Sequence, residues 1–239
     1  MKHCRVNVLE HSSVGLTAGA EDASHPLWRL YDRDVQRLFR ASQAETLEVR
    51  IDQGSQVEAV QALFIPSGHN LEGQALSLSY SSDDATYTVA DTWTGSSGLM
   101  ARELSEPITA RYWRFKVDAP TVVPELAELF LGPLYAWARL PARPGGPFEQ
   151  LLNVEVLQSA SGRERFLVHG PARAQRRYSL QFMEQAQKEE LLLLWQQGLP
   201  FWLKEHAGTW LWGRLRSALE LQEVAAGRWT AEFDFIEVL

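Results

Sequence analysis

The sequence predicts a mainly β protein of two domains, with a single helix inside the second domain. Three observations lead to this prediction. Through residues 1–132, short segments alternate apolar with polar residues, and turn residues separate them. A stretch rich in proline and glycine follows at 132–148. Beyond it, further alternating segments flank one segment, 184–198, whose apolar residues have helical spacing.

The strands of the first region are placed by their alternation. In 46–52 every second residue is Leu, Val or Ile and the residues between them are charged, which is the pattern of a strand with one buried face. Residues 56–66 form a more continuous apolar run, typical of a strand buried on both faces. Residues 75–83 alternate apolar residues with serine. Because the turn signals PSGHNLEG, SSDD, TGSSG and SEP separate such segments, we expect an antiparallel sandwich.

The segment ARYWRFKV, residues 110–117, allows two interpretations. In a strand, alternate residues share a face, so Trp113 and Phe115 would point one way and Arg114 and Lys116 the other. This separation favours a strand of the core. The alternative is an arginine-aromatic face that binds a ligand.

The second region has a different pattern. Prolines cannot donate to a β ladder, so the four prolines of 132–148 predict a linker or a crossing at a sheet edge. We take 133–148 as the linker between domains 1–132 and 149–239. In the predicted helix, Leu191, Leu194 and Trp195 have i, i+3, i+4 spacing, and Gly198 stands at the C-cap position. The helical candidate of the first region, 27–40, could equally be a loop with a short turn.

Composition excludes several classes of protein. Hydrophobic residues make up 45% and charged residues 22% of the 239 residues, so the chain is globular rather than disordered. The net charge is −7, and residues 1–132 hold 11 Lys and Arg against 18 Asp and Glu, which argues against a nucleic-acid partner. A single cysteine, Cys4, allows no disulfide within the chain. The longest apolar run, LLLLW, is too short to span a membrane, and the N-terminus has no apolar core of signal-peptide length.

The sequence shows no catalytic constellation. The six histidines are scattered, and the motifs HExxH, GxSxG, GxGxxG and GxxxxGK[ST] do not occur. We therefore predict a non-enzyme without a cofactor. Asp32 and Asp34 are weak candidates for calcium ligands, because carboxylate oxygens suit that ion. Capping or salt bridging is the alternative for both aspartates.

The first region resembles a discoidin-type domain of the galactose-binding-like superfamily. The matching segments appear in order as LYDRDVQRLFRA, LEVRIDQGSQVEAVQALFIPSGHNL, LSLSYSSDDATYTVADTW, ARYWRFKV and PELAELFLG, which together span about 110 residues. The resemblance implies a jelly-roll β-sandwich that binds sugars or membrane surfaces through loops at one end. The candidate glycan-binding residues are Trp28, Arg29, His69, Asn70 and Trp93. One departure from the family pattern is Arg33 after Asp32, in a loop that lacks the usual glycine and threonine.

The second region resembles the distal-tail and tail-tube-like proteins of long-tailed bacteriophages. The resemblance rests on RRYSLQF, the helix, PFWLKE, the hairpin and the closing strand GRWTAEFDFIEV. It implies a β-sandwich or barrel with one helix that assembles into a ring, expected to be a hexamer, through strands around Trp202, Trp210, Trp212 and Trp229.

These resemblances lead to two expected functions. The main expectation is a structural protein of a virion tail tip, assembled in the host bacterial cytoplasm, with tail-tube, hub and tape-measure proteins as partners. The alternative is a carbohydrate-binding protein that recognises host surface glycans. An accessory module of a bacterial enzyme ranks third.

Overall fold

The computed structural model describes residues 1–137, 149–151, 154–158, 164–168, 173–205 and 208–238. The chain divides into two compact units. One, here called the N-terminal unit, is formed by Cys4–Leu134, and the other, the C-terminal unit, by Met1–His3 together with Tyr135–Leu239.

The described residues are mainly β, which confirms the predicted fold class. Their helices are α1 (Gln185–Gln197) and two short 3-10 helices, Val8–His11 and Leu27–Tyr31. In chain order, the strands are β1 (Lys2–Cys4), β2 (Ser13–Ala18), β3 (Phe39–Arg40), β4 (Leu47–Asp52), β5 (Ala59–Ile65), β6 (Ala75–Ser81), β7 (Thr88–Thr94), β8 (Met100–Thr109), β9 (Tyr112–Asp118), β10 (Glu125–Leu126), β11 (Phe130–Gly132), β12 (Tyr135–Ala136), β13 (Glu149–Leu151), β14 (Val154–Gln158), β15 (Glu164–Val168), β16 (Arg173–Met183), β17 (Phe201–Lys204), β18 (Trp210–Ala225) and β19 (Arg228–Glu237).

The N-terminal unit is an antiparallel sandwich. A five-stranded sheet has the order β2-β4-β9-β6-β7, and a three-stranded sheet has the order β11-β5-β8. Apolar side chains of both sheets form one buried cluster. In β4 the alternation predicted from the sequence is present, because Leu47, Val49 and Ile51 are fully buried and the charged residues between them are not.

Strand β9 settles the interpretation of residues 110–117. Trp113, Phe115 and Val117 are fully buried in the core of the sandwich. The indole N–H of Trp113 donates to the carbonyl of Ala110 at 3.0 Å. The core-strand interpretation is therefore confirmed.

Two local predictions differ from the structure. The SEP segment, predicted as a turn, lies inside β8, because a register shift between Val60 and Ala62 of β5 lets β8 bulge around Pro107. A bulge is one of the few places in a sheet that accepts proline. The predicted closing strand PELAELFLG is divided into β10 and β11, which belong to different sheets. For the segment 27–40, the short 3-10 helix Leu27–Tyr31 matches the alternative of a loop with a short turn.

The C-terminal unit contains a seven-stranded sheet in the order β12-β1-β17-β18-β19-β16-β13, together with the β14–β15 pair and α1. Helix α1 ends at Gly198, whose φ of 61° is the left-handed conformation expected of a C-cap glycine. Its Leu191 and Leu194 are buried in the apolar cluster of this unit. Gly213 of β18 is required by close packing, because a Cβ there would lie 2.6 Å from the Phe235 ring.

The division into units also differs from the predicted domains 1–132 and 149–239. Tyr135 and Ala136, predicted as linker, form β12 and pair with His3 and Lys2 of β1. His3 is fully buried, stacks on Trp137 with ring centres 4.6 Å apart, and lies 3.0 Å from Glu190 through Nε2. Sequence patterns are local, so they could not show that the first three residues join the C-terminal unit. The rest of the predicted linker, 138–148, lies outside the described residues.

Candidate functional site

The first candidate site lies where three connecting segments of the N-terminal unit meet around the β3–β10 pair. Asn70, between β5 and β6, accepts a hydrogen bond from the backbone N–H of Glu125 at 2.9 Å. Arg40 in β3 forms an ion pair with Glu125 at 3.2 Å, and its backbone N–H donates to the carbonyl of His25. These contacts tie the segment that carries Trp28 to the segment that carries Asn70.

Trp28 presents an exposed indole ring on this surface. The side chain is 45% exposed, and the guanidinium carbons of Arg29 and Arg37 lie 5.8 and 5.9 Å from the ring centre. Arg29 is fixed by a hydrogen bond from Nη1 to the carbonyl of Leu38, and Arg37 by an ion pair with Asp34 at 3.0 Å. A flat apolar ring flanked by fixed N–H donors can stack on a ligand ring while the donors bind its polar groups.

His69 and Asn70 are engaged in bonds within the chain. His69 Nδ1 accepts from the backbone N–H of Leu71 at 3.2 Å, and Nε2 lies 2.7 Å from the carbonyl of Gly98. Asn70 Nδ2 donates to the carbonyl of Val123 at 2.7 Å. Both side chains therefore hold the connecting segments in place, and their role in glycan binding stays a prediction.

Trp93 has a different position from Trp28. It lies in β7, the end strand of the five-stranded sheet, and packs against the core with its ring centre 6.3 Å from that of Phe115. Arg102, which pairs with Asp91 at 2.8 Å, lies 5.7 Å from the Trp93 ring centre. The half-buried Trp93 thus serves packing at the edge of the core, and its predicted contact with a glycan stays a prediction.

Asp32 and Asp34, the weak candidates for calcium ligands, are engaged by their own loop. The backbone N–H of Asp34 donates to Asp32 Oδ1 at 2.9 Å, and that of Gln36 donates to Asp34 Oδ1 at 3.1 Å. Arg37 lies 3.6 Å from Asp32 Oδ2 and 3.0 Å from Asp34 Oδ2. Calcium needs about six to eight oxygen ligands, whereas here a guanidinium already supplies the positive charge. The loop does not fit a calcium ion and matches the capping and salt-bridge alternative.

A buried carboxyl group behind this loop was missed by sequence reasoning. Glu128 is fully buried, and its oxygens accept hydrogen bonds from Asn7 Nδ2 at 3.2 Å and from the backbone N–H of Arg33 at 3.1 Å. The guanidinium of Arg33 pairs with Glu10 instead. Burial, reinforced by the nearby carboxylates of Asp32 and Glu10, raises the pKa of Glu128 to about 9. Glu128 is therefore protonated at neutral pH, and the positive φ of Arg33, 60°, belongs to the turn that reaches it.

The sequence contained a partial signal for this cluster. The arginine after Asp32 departs from the pattern of the domain that the first region resembles, and it marks the loop as unusual. Its partner Glu128 lies 95 residues further along the chain, so only the fold brings the two together.

The arginines of residues 110–117 are paired on the outer face of the five-stranded sheet. Arg111 donates to both carboxylate oxygens of Asp52, at 2.8 and 3.2 Å. Arg114 forms an ion pair with Glu48 at 3.1 Å, and its guanidinium carbon lies 3.6 Å from the centre of the Tyr87 ring. Their charges are balanced within the chain, which is the arrangement of a structural network.

The four tryptophans predicted to mediate self-assembly occupy two environments. Trp202 and Trp212 are directly opposite each other in β17 and β18, with ring centres 5.0 Å apart, and both are buried. They are therefore not available on a free surface of this chain. Trp210 and Trp229 are half-buried, and the Nζ of Lys188 lies 3.5 Å from the Trp229 ring centre. A role of these tryptophans in assembly stays a prediction.

The described residues contain neither a metal-binding cluster nor a membrane-spanning helix. No group of three or more His, Cys, Asp or Glu side chains in that part of the chain is arranged to hold a metal ion. Nor does any helix described there combine the length and the apolar content that crossing a bilayer requires.

Comparisons with known proteins give similarity in structure alone. No protein-family model and no curated protein matches the sequence. Among solved structures, the chain is similar to CpGH89CBM32-6 from Clostridium perfringens, with 19% identity, a TM-score of 0.44, and coverage of 53% of this chain and 98% of that one. It is also similar to chitosan-binding module 1 of a chitosanase/glucanase from Paenibacillus sp. IK-5, with 15% identity, a TM-score of 0.47, and coverage of 54% and 100%. A third similar structure is CpGH89CBM32-5 in complex with GalNAc-beta-1,3-galactose, with 11% identity, a TM-score of 0.46, and coverage of 54% and 100%.

Proposed function

We propose that the N-terminal unit is a non-catalytic carbohydrate-binding module. The observation that carries the proposal is the exposed indole of Trp28, with the guanidinium carbons of Arg29 and Arg37 5.8 and 5.9 Å from its ring centre. A sugar ring offers an apolar face of C–H groups for the indole and a rim of hydroxyls for the guanidinium donors.

The surface is also prepared for binding before a ligand arrives. Arg29 is held by the carbonyl of Leu38 and Arg37 by Asp34, so little side-chain freedom remains to be lost on binding. Because Asp34 and Asp32 offset the charge of Arg37, the surface has no strong positive charge that would require an acidic ligand. We therefore expect neutral glycans to be preferred.

The test is the substitution Trp28→Ala in the full chain. Binding of the neutral tetrasaccharides lacto-N-tetraose and tetra-N-acetylchitotetraose is measured by titration calorimetry, after a glycan array has shown the range of glycans bound by the wild type. We expect the affinity to fall about 10- to 100-fold, which corresponds to about 1.4–3 kcal/mol.

The matched control is Trp195→Ala, since Trp195 is 40% exposed and belongs to the C-terminal unit. We expect this variant to bind like the wild type. If Trp28→Ala is folded by circular dichroism and binds as tightly as the wild type, binding at Trp28 is refuted. If the wild type binds no glycan on the array, the proposed function fails as a whole.

A ring-forming protein of a phage tail tip is the second proposal. It is supported by the apolar side chains that the C-terminal unit exposes, Phe182, Trp195, Leu199 and Val224, each at least 40% exposed. In this proposal the unit assembles with copies of itself and contacts tail-tube, hub and tape-measure proteins, in a virion assembled in the bacterial cytoplasm. The N-terminal unit would then bind glycans on the host surface.

Assembly can be measured directly on the purified full chain. Light scattering behind size exclusion and negative-stain electron microscopy should show closed rings, and Trp195→Glu should convert them to monomers. A wild-type chain that stays monomeric at all concentrations up to about 100 μM, far above the roughly micromolar Kd of weak specific complexes, would rule out ring formation by this chain alone.

A further inference from the structure

A second concave surface of the N-terminal unit lies on the outer face of the five-stranded sheet. It is a groove of about 500 Å³ across β9, β6 and β7. Ala75 of β6 is opposite Thr94 of β7 on one side and Asp118 of β9 on the other. Ser77, two residues further and on the same face, is opposite Thr92 and Lys116 in the same way.

The groove results from side-chain size. At the two levels of the groove, β6, which lies between β7 and β9, carries the small residues Ala75 and Ser77. The surface is therefore recessed along β6. Beside Ser79, the next residue of β6 on this face, the guanidinium carbon of Arg114 in β9 lies 3.6 Å from the centre of the Tyr87 ring. These larger side chains fill the face and close the groove at that end. The volume is within the range of about 300–1,000 Å³ that small-molecule sites occupy.

The chemistry of the lining selects a class of ligand. Ser77, Thr92 and Thr94 supply hydroxyl groups, each of which can donate and accept a hydrogen bond. Val89 and Trp93 add apolar surface to the same lining, and Trp93 is one of the glycan-binding residues predicted from the sequence. On the wall, Lys116 Nζ and Asp118 Oδ1 are 3.0 Å apart, so this pair presents donors and an acceptor with no net charge. An apolar ligand would leave these polar groups without partners, and a charged ligand would meet no unbalanced charge.

We propose that this groove is a second carbohydrate site, which binds a neutral oligosaccharide along the sheet face. The inference extends the proposed glycan binding to a surface that shares no residue with the Trp28 site. Hydroxyls, the ammonium group and the carboxylate of the lining match the mixed donors and acceptors of a neutral sugar chain.

The experiment places a large side chain in the groove. Thr92 is exposed, and tyrosine is as well suited to a strand as threonine, so Thr92→Tyr should fill the groove without unfolding the sheet. The control is Thr88→Tyr, at an exposed position of the same strand outside the groove lining. Backbone amide chemical shifts of the full chain are followed by NMR during titration with lacto-N-tetraose, tetra-N-acetylchitotetraose and, as an acidic control, a heparin tetrasaccharide.

In the wild type, at least one neutral tetrasaccharide should shift two separate sets of amides, one around Trp28 and one in the segments 75–77, 92–94 and 116–118. Thr92→Tyr should lower the affinity reported by the second set at least about tenfold, which equals about 1.4 kcal/mol. The affinity reported by the first set should not change. Trp28→Ala should have the opposite effect, and Thr88→Tyr should change neither.

The outcomes separate this inference from the proposed function. If only amides around Trp28 shift, the proposed carbohydrate site in the groove is refuted and the proposed function is unaffected. Shifts in the groove alone support the groove and remove the role of Trp28, and no shift with either neutral sugar removes both. Stronger groove shifts with the heparin tetrasaccharide than with the neutral sugars would overturn the assignment of a neutral ligand.

Discussion

Trp113→Ala is expected to lower the free energy of unfolding of the N-terminal unit by about 3–5 kcal/mol, enough to leave much of the unit unfolded. Trp113 is among the largest fully buried side chains of the chain, and its ring centre lies 5.7 Å from that of Tyr80. Its removal leaves a cavity between the sheets and removes one of two hydrogen bonds to the carbonyl of Ala110, which also accepts from Gln53 Nε2 at 3.1 Å. Urea denaturation followed by far-ultraviolet circular dichroism measures the change.

The matched control is the same substitution at an exposed tryptophan. Trp28→Ala is expected to cost less than about 1 kcal/mol, because Trp28 is 45% exposed. If Trp113→Ala proved as stable as Trp28→Ala, the assignment of β9 to the core would be wrong.

Glu128→Gln is expected to make the N-terminal unit more stable than the wild type at pH 8, with an increase in Tm of about 5 °C or more. The folded-state pKa of Glu128, about 9, lies above its ordinary value of 4.5, so the folded chain binds a proton that the unfolded chain releases between these values. The contribution of Glu128 to stability is therefore complete below pH 4.5 and is lost as the pH rises towards 9. Glutamine cannot ionise and has no such loss.

Glutamine has nearly the shape of glutamic acid, but its amide nitrogen cannot accept the hydrogen bond from Asn7 Nδ2, a loss smaller than the cost of ionising the buried carboxyl group. Its carbonyl oxygen can accept from the backbone N–H of Arg33, and Asn7 Nδ2 keeps its bond to the carbonyl of Leu129 at 3.1 Å. In thermal unfolding from pH 4 to pH 9, the Tm of Glu128→Gln minus that of the wild type should increase with pH. Glu125→Gln, at a carboxylate that is 29% exposed, is the control for removing a carboxyl group that is not buried. A difference in Tm between Glu128→Gln and the wild type that does not change with pH would mean that Glu128 is ionised in the folded chain.

The candidate site was predicted only in part. Trp28 and Arg29 could be selected from the sequence because the segment around them resembles the entry loop of a known domain. Arg37, which completes the surface, lies eight residues beyond Arg29, and no local pattern shows that a 3-10 helix and the following turns return it to the indole. The engagement of His69 with Gly98 likewise depends on two loops that are 29 residues apart.

The sequence by itself determined the mainly β class, the buried faces of β4 and β9, and the position and C-cap of α1. Each of these follows from residues within one element, because side chains alternate along a strand and recur every three to four residues along a helix. Tertiary structure decided that His3 pairs with Glu190, that Glu128 is buried under Arg33, and that the small residues of β6 line a groove between β7 and β9. These features depend on strand order and on contacts across 95 and 187 residues of chain, for which local periodicity contains no information.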